Sequence, residues 1–103
     1  MILSDRSILD AIDAQNIVID PYDRSSLGTN SYDVHLSKFL ACYVDEIIDA
    51  KKHNMVKHFE IEEEGIVLHP GKTYLGSTLE YTETRLYVPF LEGKSSVGRL
   101  GID

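Results

Sequence analysis

The stretch Thr73-Tyr74-Leu75-Gly76-Ser77-Thr78-Leu79-Glu80-Tyr81 sets Thr73, Leu75, Ser77, Leu79 and Tyr81 on one parity and Tyr74, Gly76, Thr78 and Glu80 on the other. Successive side chains of an extended chain point to opposite faces, so this period of two reads as a strand. His69-Pro70-Gly71-Lys72 in front of it is a turn signal. Behind it, Leu86 to Leu91 forms another apolar run, in which Pro89 marks an edge or a bulge because proline has no N–H to give a neighbouring strand.

Upstream the same period recurs. Tyr32, Val34 and Leu36 face one way while Ser31, Asp33 and His35 face the other, which reads as a half-buried strand. Phe39 to Val44 is apolar on both parities and reads as a second strand or a continuation, with Ser37-Lys38 as a bend or bulge. Phe59-Glu60-Ile61 and Ile66-Val67-Leu68 are short strand candidates around the acidic turn Glu62-Glu63-Glu64-Gly65, and 45–58 reads as an exposed hairpin or irregular excursion. At the start, Ser4 caps a short amphipathic helix over about 5–15 with Ile8, Leu9 and Ile12 on one stripe. Asn16 stops it, Ile17-Val18-Ile19 is a buried strand ended by Asp20-Pro21, and 22–30 has loop chemistry. Short strands with close turn signals after one small helix predict a mainly β sandwich or barrel.

A chain of 103 residues is expected to form a single domain, and 43% hydrophobic residues with interspersed charge are ordinary for a globular protein. Its net charge of −7 argues against nucleic acid as a partner, because that requires a basic face to neutralise phosphates. No apolar run approaches the ~20 residues of a membrane span, and the first residues lack the basic flank of a signal peptide. No membrane partner and a cytoplasmic location are therefore expected. Cys42 is the only cysteine, which excludes an intrachain disulfide and a cysteine-rich zinc site; in an apolar run it reads as a small buried hydrophobe. His35, His53, His58 and His69 fit no metal-ligand spacing and read as solvated or strand-face groups, and Glu62-Glu63-Glu64 as a solvated turn.

The closing Gly93-Lys94-Ser95-Ser96-Val97-Gly98-Arg99-Leu100-Gly101 differs in kind. Backbone N–H groups of a tight turn entering a helical turn can converge on phosphate oxygens, and the hydroxyls of Ser95 and Ser96 add donors. Lys94 supplies a point charge. Arg99 lies three and four positions beyond Ser96 and Ser95, so a helical turn puts its planar donor fork on their side. The spacing is neither a Walker A loop nor a dinucleotide fingerprint.

Four segments in this order resemble the deoxycytidine triphosphate (dCTP) deaminase family: Met1 to Arg6, Asn30 to Leu36, Leu68 to Gly76 and Leu91 to Gly101. The resemblance implies a mainly β, distorted jelly roll or β-sandwich of the deoxyuridine triphosphatase (dUTPase) type with a short N-terminal helix, assembled as a homotrimer with active sites between subunits. It implies a hydrolase acting on a cytosine C–N bond without zinc, converting dCTP to dUTP and ammonia, with Mg2+ accompanying the triphosphate and no metal held by the chain's own residues. Lys94, Ser95, Ser96, Val97, Gly98 and Arg99 form the substrate-binding turn in this comparison. Within it, Lys94 and Ser96 bind the triphosphate, Ser95 helps place the attacking water, and Arg99 supports the catalytic centre.

Attack at C4 of cytosine needs a positioned water, a base and donors where charge develops. The turn offers donors; the family's base is a glutamate on a later strand, and Glu80, Glu83 and Glu92 do not match its position. The chain is thus expected to be a single domain over 1–103 that stops short of the family's closing strands, with little deaminase activity by itself. The alternatives are a bifunctional deaminase–dUTPase or a dUTPase, and a non-catalytic nucleotide-binding module; deoxythymidine triphosphate (dTTP) is a further expected ligand, as a regulator.

Overall fold

A computed structural model describes residues 1–102. Ser4 caps helix α1 (Asp5–Asp13) by accepting the N–H of Ser7 at 3.3 Å, and Asp5 sits in the first turn, where a carboxylate favours the helix dipole. Ile8 and Ala11 are its buried residues. The helix contains its whole apolar stripe but ends at Asp13, short of the expected span of about 5–15. Gln15 takes a left-handed conformation (φ 61°), the N–H of Asn16 reaches the carbonyl of Ala11 at 2.9 Å and that of Gln15 reaches Ile12 at 3.0 Å, closing the last turn.

The chain then enters β1 (Ile17–Asp20), the strand expected there, but Ile17, Val18 and Ile19 are half-buried rather than buried. After a short 3-10 turn at Arg24–Ser26 come β2 (Leu36–Tyr43), β3 (Val56–Glu60), β4 (Leu75–Thr78) and β5 (Tyr81–Thr84). They form two antiparallel sheets among the described residues: β1 pairs with β5, and β2 lies between β3 and β4. The arrangement is mainly β with a short N-terminal helix, as expected. The β2–β4 register shifts between Leu36 and Leu40, across the Ser37-Lys38 irregularity anticipated from sequence. Leu40, Ala41 and Cys42 of β2 are buried with Ile8, Ala11 and Leu27, so the lone cysteine is a core residue.

Four strand expectations change. Ser31 to His35 is not a strand; only Tyr32 makes an isolated bridge, to Leu27. Its donors are used elsewhere: the N–H of Asp33 goes to the Ser26 carbonyl at 2.9 Å and that of His35 to the Glu80 carboxylate at 2.8 Å. The run Thr73–Tyr81 is split into β4 and β5, which belong to different sheets, and the chain crosses over at Leu79-Glu80. There Thr78 Oγ1 donates to the Glu80 carbonyl at 2.8 Å, a local bond that competes with the ladder. Ile66–Leu68 and Leu86–Leu91 form no strand. Both are exposed, and Leu86, Val88, Phe90 and Leu91 border an open apolar cleft of about 1020 Å³ beside β1 and β5.

Candidate functional site

The terminal turn has the helical form expected of it. Lys94 is extended (φ −75°, ψ 152°) and caps the single turn α2 (Ser95–Gly98), its carbonyl accepting the N–H groups of Val97 at 3.0 Å and Gly98 at 2.8 Å. Arg99 closes the turn by donating its N–H to Ser95 at 3.0 Å. Gly101 then takes φ 77°, a left-handed conformation that glycine adopts without steric cost. Ser95, Ser96 and Arg99 are exposed in this turn, while Val97 is half-buried and Gly98 is exposed. The hydroxyls of Ser95 and Ser96 and the Arg99 guanidinium thus share one short segment, whereas the N–H groups of Val97, Gly98 and Arg99 are bonded within the turn itself.

Lys94 is fixed from outside the turn. Its Nζ lies 2.8 Å from Asp33 Oδ2, joining the end of the chain to the Tyr32–Leu36 segment. Residues 31–34 and 90–94 line a cleft of about 250 Å³ between them. The pair is solvent-accessible, with the Lys94 side chain 61% and the Asp33 side chain 45% exposed. An exposed ion pair contributes no more than about 1 kcal/mol, so the ammonium is free to exchange partners.

Two residues along, the contact is of the opposite kind. Glu80 is buried, its side chain only 2% exposed, and both carboxylate oxygens are engaged: Oε1 accepts the backbone N–H of His35 at 2.8 Å and Oε2 lies 2.7 Å from His35 Nδ1. The N–H of Leu79 donates to the His35 carbonyl at 2.7 Å, so the crossover and the segment hold each other. Burial pushes the Glu80 pKa up, but the hydrogen bonds from the His35 ring and backbone outweigh it and leave the carboxyl below its ordinary value. The His35 pKa is raised, first by its hydrogen bond to Glu80, then by that carboxylate's charge, with Asp23 and Asp33 adding to it.

Around this segment the loop is tied down as well. Tyr32 stacks on Tyr22 with ring centroids 5.8 Å apart, and its hydroxyl accepts the N–H of Asp23 at 2.9 Å. Asp23 in turn accepts from the N–H and hydroxyl of Ser25.

Sequence reasoning identified the turn and missed the Asp33–His35–Glu80 framework that meets it. His35 reads as a strand-face histidine, yet it is paired with a buried acid. The alternation around residue 80 marks a parity and carries no sign of burial. His53, His58 and His69 are exposed, and the described residues contain no group of three or more His, Cys, Asp or Glu side chains that could hold a metal ion. No helix among them is long and apolar enough to cross a membrane.

Comparison with known proteins converges on one family. A family model described as dCTP deaminase-like matches residues 2–103. Curated relatives named "dCTP deaminase, dUMP-forming" are 52% identical in Clostridium acetobutylicum, 50% in Cytophaga hutchinsonii and 47% in Leptospira biflexa, each over 99% of this chain. The chain spans 58% of the length of each. Their names specify deoxyuridine monophosphate (dUMP), where the sequence reading led with dUTP. The two-sheet, mainly β architecture is consistent with the dUTPase-like fold, and the match along the whole sequence shows that the chain belongs to the dCTP deaminase-like family.

Proposed function

We propose that this chain supplies the nucleotide-binding turn of a dCTP deaminase that forms dUMP, with magnesium entering as part of the dCTP substrate. The observation that carries the reading is the Lys94–Arg99 turn, a single helical turn whose exposed residues carry two hydroxyls, a guanidinium and an exchangeable ammonium within six positions. The names of the relatives support the substrate and favour dUMP over dUTP as the end product.

In this reading Lys94 and Ser96 hold the triphosphate, with the backbone of Val97 and Gly98 completing the turn around it. Ser95 orients the water that attacks C4 of cytosine, and Arg99 supports the reacting centre with charged donors. No glutamate of this chain is assigned as the base. Deamination consumes one water and releases ammonia; cleavage between the α and β phosphates consumes a second and releases pyrophosphate. The assembly is a cytoplasmic homotrimer with sites between subunits, and dTTP is a regulatory ligand.

Product analysis tests the reaction. The protein carrying this chain, given magnesium and dCTP, should yield ammonia, pyrophosphate and dUMP in equal amounts. Ammonia with accumulating dUTP would overturn the dUMP-forming assignment. Pyrophosphate from dUTP with no ammonia from dCTP would make the protein a dUTPase.

A further inference from the structure

We propose that Glu80 and His35 are positioning residues for nucleotide binding: they fix the backbone that carries Asp33, and Asp33 holds the Lys94 ammonium at the mouth of the terminal turn. The inference rests on the nucleotide-binding reading of that turn and extends it to residues outside the turn.

The contacts form one continuous path. Glu80 binds His35 through both carboxylate oxygens, at 2.8 Å and 2.7 Å, and Leu79 returns a bond to the His35 carbonyl at 2.7 Å. Two residues before His35, Asp33 is held by its own N–H to Ser26 at 2.9 Å and reaches Lys94 at 2.8 Å. A buried carboxylate is costly unless its oxygens are satisfied, and both Glu80 oxygens are satisfied by the same residue, so the acid is committed to holding residue 35. At the other end of the path the Lys94 side chain is mostly exposed, free to turn from Asp33 to a phosphate without leaving its place. The buried Glu80 and its partner His35 thus act at a distance, by limiting where the ammonium starts.

The charged groups facing His35 are Glu80 from the crossover, Asp23 from the 3-10 turn and Asp33 from its own segment. All are acidic and favour the imidazolium. Loss of the His35 proton removes the charge partner of Glu80 and loosens the segment, so affinity should decline as pH rises through the His35 titration.

A double-mutant cycle read by dCTP affinity tests the path, using magnesium and dCTP with the protein carrying this chain. Glu80→Ala should raise Kd about tenfold, and Glu80→Gln, which keeps an acceptor for the His35 N–H but loses the charge, should restore only part of the loss. In a Lys94→Ala background, Glu80→Ala should add little, because both act through the same ammonium. His35→Ala, which removes a half-exposed ring and keeps the backbone, repeats the cycle if Glu80→Ala fails to fold. It should also abolish the decline in affinity through the His35 titration.

Full additivity of either substitution with Lys94→Ala would overturn the proposal while leaving the turn's function intact. A protein that binds no dCTP at all would overturn the reading of the turn and this inference with it.

Discussion

Two carboxylate contacts tie the Asp33–His35 segment to the rest of the molecule, one to the crossover and one to the terminal turn, and they are built differently. The Glu80 contact is made by a buried carboxylate that uses both its oxygens, whereas the Lys94 contact is a single exposed ion pair. The first resists disruption, because removing one partner strands a buried polar group. The second is easily exchanged. The comparison teaches a division of labour: the interior contact places the segment, and the exposed contact leaves a cation available at the turn that is proposed to bind the triphosphate.

The largest effect that would break this picture lies in the turn itself. If Arg99 supports the reacting centre as proposed, Arg99→Ala removes a charged donor there and should lower kcat about 100-fold or more. Lys94→Ala should instead raise KM about tenfold with little change in kcat. Steady-state kinetics on both variants would separate the roles, and equal nucleotide affinity with and without Lys94 would contradict its assignment.

Next comes the contrast in stability. Glu80→Ala leaves the His35 N–H without its acceptor and should destabilise the fold by about 1–3 kcal/mol, whereas Asp33→Asn should cost under about 1 kcal/mol. Chemical denaturation of the two variants measures the difference, and equal losses would erase the distinction between the contacts.

The smallest effect is the pH dependence. The lowered Glu80 pKa contributes stability present above the ordinary carboxyl value of 4.5 and lost as pH falls through the folded-state value. The raised His35 pKa contributes stability fully present below 6.5 and lost as pH rises through the higher folded-state value. The stability gap between the parent and Glu80→Gln should therefore be widest between 4.5 and 6.5 and narrow on either side. A gap independent of pH would exclude a charged His35–Glu80 pair.

What the sequence disclosed was local. The Ser4 cap, the Ile17–Ile19 strand, the irregularity at Ser37-Lys38, the burial of Cys42 and the helical form of Ser95–Gly98 each follow from the chemistry of a few adjacent residues. Alternation gave the parity of Tyr32–Leu36 and Thr73–Tyr81 without naming partners. A strand needs a neighbouring backbone, and at His35 the acceptor is a side chain 45 positions away. The same long-range bond accompanies the break at Leu79-Glu80. Leu86–Leu91 shows the converse: apolar composition makes a strand plausible, but no strand pairs with it among the described residues. The candidate turn was visible as a motif, while Asp33 and Glu80, which meet and brace it, appear only once the chain is folded.

Hydrogen–deuterium exchange with and without magnesium and dCTP reads out whether the terminal turn binds nucleotide. The account predicts slower exchange across 93–101, together with 31–36. Protection confined to other segments, with the terminal turn exchanging as fast as before, would contradict it.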